Sequence, residues 1–341
     1  MKNILSRFTL IPVLFGVLLS LPSLAQAAEA RVIKLSHQFA GGTIDEGDFR
    51  DRLARKFAAE VEKRTHGELK FEIYPAGSLV KTMSQFGALS KGALDMTVLP
   101  LAYAGGMVPE VNLTLMPALV TSYEQGLRWK TAPIGQELTR ILDEKGVVIL
   151  TWVWQAGGIA STERPVIVPD DAKGMKVRGG SKEMDMMLKA AGAAITSVPS
   201  NEIYSAMQSK VLDAAVTSST SLISFRLYEY SKNVTTAREK SFWFMFEPLL
   251  MSKVTYDSLT PAQKTIVMEV GASLEKFAMD AAKADDQELA KVYAKAGAKV
   301  HNMDDAAFQK WKSIAQQTAW KDFENIVPNG KKLMEMASSV K

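Results

Sequence analysis

Along most of the chain the apolar residues alternate between two spacings. Val32, Ile33 and Leu35 make a short apolar run of the kind that forms a buried strand. Phe49, Leu53, Phe57 and Val61 then recur every four residues with charges between them, the stripe of an amphipathic helix lying on a sheet. Gly67 after Thr65-His66 supplies a left-handed stop. Leu69 to Ile73 alternates as a strand and ends in the turn Tyr74-Pro75-Ala76-Gly77. A second helix reaches Lys91, Gly92 turns the chain, and Asp95 to Leu99 reads as another strand. A helix over about 124–145 and a strand from Val147 to Trp154 follow. Strands alternating with helices predict sheets covered by helices, an α/β architecture.

Pro165 and Pro169-Asp170-Asp171 interrupt this pattern, and a second unit begins after them. It carries a strand at Lys176–Arg178, a helix at Ser181–Ala191, a strand at Ala194–Val198 and a helix at Asn201–Ser209. Near Thr260 stands the strongest local signal: Thr260 as N-cap, Pro261 at the first helical position and Gln263 completing a capping box. Ile266, Val270, Leu274, Phe277 and Ala281 keep the helical period, and Gly297 is the first convincing stop. A helix of about 36 residues is about 54 Å long, more than one lobe is wide, so it is predicted to run across two lobes as a spine. The alternative is a pair of helices broken near Asp285-Asp286.

The amino terminus changes the picture. Lys2 and Arg7 precede an apolar stretch from Phe8 to Leu21, followed by Ala25-Gln26-Ala27. This is the pattern of a secretory signal peptide over 1–27, and the stretch falls short of the roughly 20 residues that cross a bilayer. The roughly 310 residues that remain exceed what one hydrophobic core commonly serves, so two lobes are expected. The formal charge of +4 includes two basic residues of the leader, leaving +2, which argues for neither nucleic acid nor an anionic membrane as partner. There is no cysteine, hence no disulfide framework and no lipid-bearing cysteine. A soluble periplasmic monomer is the expectation.

Catalytic motifs are missing. His37, His66 and His301 are far apart with no metal-binding spacing, and there is no EF-hand-like loop, so no metal and no cofactor are expected. The G-x-S-x-G, P-loop and dinucleotide glycine patterns do not occur. What stands out is Gly174-Met175-Lys176-Val177-Arg178-Gly179-Gly180, a strand running into two glycines and a helix. Ligands of open α/β sheets sit beyond the carboxyl ends of strands, so Arg178 is placed either to grip a carboxylate or to hold a structural salt bridge.

Several segments together resemble the solute receptors of tripartite ATP-independent periplasmic (TRAP) transporters, the DctP-like family. They are Thr65-His66-Gly67, Tyr74-Pro75-Ala76-Gly77-Ser78-Leu79, Gly92-Ala93-Leu94-Asp95-Met96, Met116-Pro117, Asp171 leading to Gly174–Arg178, Glu202-Ile203-Tyr204-Ser205-Ala206-Met207-Gln208, Asp213 and the capped spine helix. The resemblance covers essentially the whole mature length. It implies a two-lobed, type II-like periplasmic-binding-protein fold with a hinge, closing on a small carboxylate that is handed to TRAP membrane subunits. Lobe I is then expected over 28–160 with roughly 247–285, and lobe II over 161–246 with roughly 286–341.

The same resemblance makes Arg178 the carboxylate anchor and Arg164 a second candidate. Two departures qualify it. Asp213-Ala214-Ala215-Val216-Thr217 replaces the usual amide-bearing motif, leaving the hydroxyls of Thr217 or Ser218 as substitutes, and Ser200 stands where an aromatic residue is common. Trp154 and Phe244 are candidates for an aromatic wall, since alternate strand residues face opposite sides. His37 and Gln38, at the end of the first strand, are placed to reach the distal end of a ligand. These readings point to a monocarboxylate with an apolar or aromatic body. The alternatives are a 2-oxo acid, 2-hydroxy acid or dicarboxylate, and, from other classes, an ATP-driven importer's receptor or a periplasmic enzyme.

Overall fold

The computed structural model describes residues 30–341, so the signal-peptide expectation for 1–27 lies outside the described residues. Twelve strands form two sheets. Strands β1 (Arg31–Ser36), β2 (Leu69–Tyr74), β3 (Met96–Val98) and β4 (Val147–Thr151) are followed by β5 (Trp154–Ser161), β6 (Lys176–Arg178), β7 (Ala194–Ile195) and β8 (Ala214–Ser218). Next come β9 (Asn233–Thr236), β10 (Phe244–Phe246), β11 (Leu249–Ser252) and β12 (Lys299–Asn302). The first sheet has the order β2-β1-β3-β11-β4; the second runs β12-β9-β5-β8-β6-β7, with β10 added on β5.

The amphipathic helix expected after β1 spans Phe49–Arg64 and buries Phe49, Leu53, Phe57 and Val61, the stripe that predicts it. Phe57, Val61, Ile33, Leu35, Leu249 and Met251 share one apolar cluster, so this helix covers the first sheet. The second sheet is covered by the Lys182–Ala190 helix, whose Met184, Met187 and Leu188 pack with Val177, Ala214 and Val216.

The chain passes between sheets directly at Trp152-Val153 and at Glu247-Pro248, and a third time through the long helical segment that joins β11 to β12. The backbone N–H of Glu247 donates to the carbonyl of Val153 at 2.8 Å, stitching the two crossings together. The first crossing falls earlier than expected. All of β5 belongs to the second sheet, with Gly157–Ser161 paired to β8 and Ile159–Ser161 to β9. Gly157 and Gly158 hide this strand from a hydrophobicity pattern, and they are required by close packing. A Cβ on Gly157 would lie 2.3 Å from the Thr217 carbonyl and 2.4 Å from the Trp243 ring. The final helix, Gly330–Ser338, also departs from expectation: Leu333, Met334 and Ala337 join Leu138 and Ile141 of the Pro133–Glu144 helix on the first-sheet side.

The spine is a bent helix in two pieces, Pro261–Ser273 and Glu275–Lys295. Thr260 and Gln263 form the expected capping box. Its first piece packs Val267 and Val270 on the first sheet's cluster, and its second packs Leu289 and Tyr293 with Ala215 and Val234 of the second. The break falls at Leu274, not at Asp285-Asp286. Gly271 lies so close to β4 that a Cβ would come within 2.3 Å of the Leu150 carbonyl, and Thr151 donates its hydroxyl to the Gly271 carbonyl at 3.0 Å. A side chain entering the helical hydrogen-bond ladder is a known cause of bending.

Candidate functional site

Arg178 ends β6 and is 2% exposed. Gly180 makes its position possible: its φ of +100° is left-handed, and a Cβ there would sit 2.7 Å from a terminal guanidinium nitrogen. Ser181 then caps the Lys182–Ala190 helix by accepting from Met184 N–H at 3.1 Å. The guanidinium lies in a frame of neutral acceptors. Its Nε donates to the Val198 carbonyl at 3.0 Å, Nη1 to the Val216 carbonyl at 2.8 Å and Nη2 to the Tyr103 hydroxyl at 2.7 Å. Among the described residues it takes part in no ion pair.

An arginine has five N–H donors, so three engaged donors leave one on each terminal nitrogen. A carboxylate engages a guanidinium through two such parallel bonds. A buried cation without a counter-charge is unfavourable, and a bound anion removes that penalty.

Beside this guanidinium's frame opens a cavity of about 330 Å³, lined by the neighbours Tyr103, Gly180 and Val198 that surround Arg178 and not by Arg178 itself. From the segment after β3 it is lined by Tyr103, Gly105 and Asn112, and from the second sheet's side by Ser181, Asp185 and Val198, among others. Asp185 makes no direct ion pair with Arg178, although it feels that charge. Its Oδ1 accepts from Gly179 N–H at 3.0 Å and its Oδ2 from the Ser197 hydroxyl at 2.8 Å. Burial pushes its carboxyl up, against those hydrogen bonds and the Arg178 charge.

The other sequence-predicted residues are not gathered around this cavity. Arg164 is exposed, donating from Nε to the Asp171 carbonyl at 3.1 Å and from Nη2 to the Lys173 carbonyl at 2.5 Å. Its guanidinium thus braces the turn at 169–173. Trp154 is 3% exposed and packs edge-on to Trp129 with centroids 5.1 Å apart; Phe244, 6% exposed, packs likewise on Tyr123 at 5.4 Å. The expected aromatic wall is therefore core. Ser218 caps the Ser219–Ser224 helix and bonds Ser221 Oγ at 2.9 Å, and Thr217 is buried within β8. His37 pairs through Nε2 with Asp51 at 3.0 Å, and its Nδ1 accepts from Phe39 N–H at 3.3 Å, so both ring nitrogens are engaged inside the first lobe. Gln38 differs: it is 1% exposed and neither its amide nitrogen nor its oxygen has a partner among the described residues.

A second buried arginine escaped sequence reading. Arg50 follows the helix N-cap Asp48 and is fully buried. It pairs with Asp48 at 2.6 Å and Glu247 at 3.3 Å, donates to Ser218 and Ser221, and lies 3.7 Å over the Phe39 ring. Burial would raise the Asp48 carboxyl, but the charge and hydrogen bonds of Arg50 outweigh it and hold it low. Burial dominates at Glu247, whose carboxyl is pushed up to about 8 despite Arg50. Glu247 also meets the amide of Gln155.

The profile of the family described as bacterial extracellular solute-binding protein, family 7 (DctP), matches residues 41–325. The chain belongs to that family, whose members are TRAP periplasmic solute-binding proteins. It is similar to a solute-binding protein of Albidiferax ferrireducens, 62% identical over 87% of this chain and 88% of that one. The crystal structure of a TRAP periplasmic solute-binding protein from Rhodoferax ferrireducens with bound malonate superposes with a TM-score of 0.89 at 60% identity, covering 90% of this chain and 98% of that one. The C4-dicarboxylate-binding periplasmic protein DctP of Rhodobacter capsulatus is 28% identical over 82% of this chain and 81% of its own length.

Proposed function

We propose that this protein is a periplasmic receptor that binds a small organic acid anion at Arg178 and delivers it to TRAP membrane subunits, without chemistry on the ligand. One observation carries the reading: a buried guanidinium beside a cavity, engaged only by neutral acceptors. The Rhodoferax relative with malonate bound supports a small carboxylate as ligand. No helix among the described residues is long and apolar enough to cross a membrane, which agrees with delivery by a separate receptor. An aromatic body loses its support, because Trp154 and Phe244 pack inside the protein.

The test compares small acids with their amides by thermal shift, at concentrations up to tens of millimolar. Acids are expected to raise the melting temperature and the isosteric amides to leave it unchanged, since only a ligand favouring the native state stabilises it. Equal stabilisation by the amides, or none by any acid, overturns the reading.

A further inference from the structure

Tyr103 and Asn112 face the cavity from the two 3-10 segments that follow β3, Leu101–Ala104 and Pro109–Leu115. The hydroxyl of Tyr103 accepts two hydrogen bonds, from Arg178 Nη2 at 2.7 Å and from the backbone N–H of Ser200 at 3.0 Å. With both acceptor positions filled, the phenol proton is the one hydrogen-bonding function left on that oxygen, and it makes no bond to the described residues.

The proton is not aimed at the anchored carboxylate. Two acceptors on one trigonal nitrogen, each at ordinary hydrogen-bond length, stand roughly 4–5 Å apart, too far to bond one another. A carboxylate oxygen on the remaining Nη2 hydrogen therefore leaves the Tyr103 proton for a different acceptor.

Asn112 supplies the complementary observation. It is 6% exposed, lines the same cavity, and its side-chain amide bonds no described residue. Its position is fixed by packing over Gly105, where a Cβ would stand 1.7 Å from its Oδ1. The site thus offers an anchoring cation on one side, and on the other a phenol donor plus an amide that both donates and accepts.

We infer that Tyr103 and Asn112 are specificity-determining residues that read a second oxygen function on the ligand, a hydroxyl, oxo or second carboxylate close to the anchored one. This rests on the reading of Arg178 as carboxylate anchor and narrows it. A plain short-chain acid satisfies Arg178 but turns apolar atoms toward the phenol proton and the amide, displacing water from them without replacing its hydrogen bonds, which costs affinity. A bifunctional acid satisfies both.

The test is calorimetric titration of the mature protein with malonate, lactate and propionate, three-carbon acids that differ in the second oxygen function. Wild type is expected to bind malonate or lactate at least tenfold more tightly than propionate. Tyr103→Phe and Asn112→Ala are expected to lose about tenfold to a hundredfold for the preferred acid, the worth of a hydrogen bond involving a charged group. Asn112→Ala, which leaves the Arg178 frame intact, is expected to lose less than about twofold for propionate, and Tyr103→Phe, which also removes an acceptor of Arg178, to weaken propionate clearly less than the preferred acid. Gly105→Ala, which displaces Asn112 without removing it, is expected to shift the preference in the same direction. Melting temperatures of the ligand-free variants check that each is folded. Propionate binding as tightly as the oxygenated acids, or variants that weaken all acids alike or none, overturns the inference while the anchor stands. If Arg178→Ala binds every acid as wild type does, or if wild type binds none, the anchor itself falls, and the inference with it.

Discussion

Two arginines are buried to nearly the same degree in this protein and have opposite electrostatic surroundings. Arg50 lies between the Asp48 carboxylate and the Glu247 carboxyl group and under the face of Phe39; Arg178 lies among two carbonyls and a phenol. The first is neutralised by the fold. The second is held in place by neutral oxygens, with no carboxylate in direct contact. Burial alone therefore says little about the role of a cation, and the identity of its acceptors says most: carboxylates make a strut, neutral oxygens make a receptor for an anion. Arg50 also ties together elements of both sheets, since it bonds Ser218 at the end of β8, Ser221 just after it, and Glu247 between β10 and β11.

This contrast can be broken most directly by truncation. Arg50→Ala strands Asp48 and Glu247 in the interior and is expected to cost about 3–5 kcal/mol in urea unfolding of the ligand-free protein. Arg178→Ala strands no carboxylate and should cost clearly less; equal losses would erase the distinction.

Affinity should show the reverse order. Arg178→Ala is expected to weaken acid binding by about 2–5 kcal/mol, at least about 30-fold, in calorimetry. Arg178→Lys should also bind poorly, because an ammonium lacks the planar fork. Near-native affinity in the lysine variant would contradict two-point recognition of the carboxylate.

Glu247 sharpens the account of the Arg50 cluster. Burial pushes its carboxyl up to about 8 from an ordinary 4.5, so the native state should hold the proton more tightly than the unfolded chain. The stabilisation this brings is complete below about 4.5 and is lost as pH rises through about 8. Wild type should therefore lose stability relative to Glu247→Gln across that window, by a few kcal/mol at most. Parallel profiles of the two proteins would show that Glu247 is ionised throughout. The smallest effect is expected at Arg164, whose exposed guanidinium braces a turn: Arg164→Ala should leave acid affinity within about twofold and stability within about 0.5 kcal/mol. A large loss of affinity there would return Arg164 to the site.

How far the sequence reaches can be judged from particular segments. The stripe at Phe49, Leu53, Phe57 and Val61 and the capping box at Thr260 and Gln263 are local signals and appear as helices with those faces and caps. The helix expected over about 124–145 is two, Tyr123–Trp129 and Pro133–Glu144, divided where Pro133 lacks an N–H to continue the first. Tyr103 and Asn112 carried no legible signal, since they lie in a run of short 3-10 turns whose only mark is the pair Gly105-Gly106.

The α/β alternation, the spine helix and the place of Arg178 at a strand's end were determined by the sequence by itself, because periodicity, capping and strand-to-helix turns act over a few neighbouring residues. Which arginine is neutralised, which aromatic residues face inward and which polar groups meet at the cavity were decided only by the tertiary structure. Many of the deciding partners are distant in sequence, as Tyr103 is 75 positions from Arg178 and Glu247 is 197 from Arg50, and a charge is compensated in space, not along the chain.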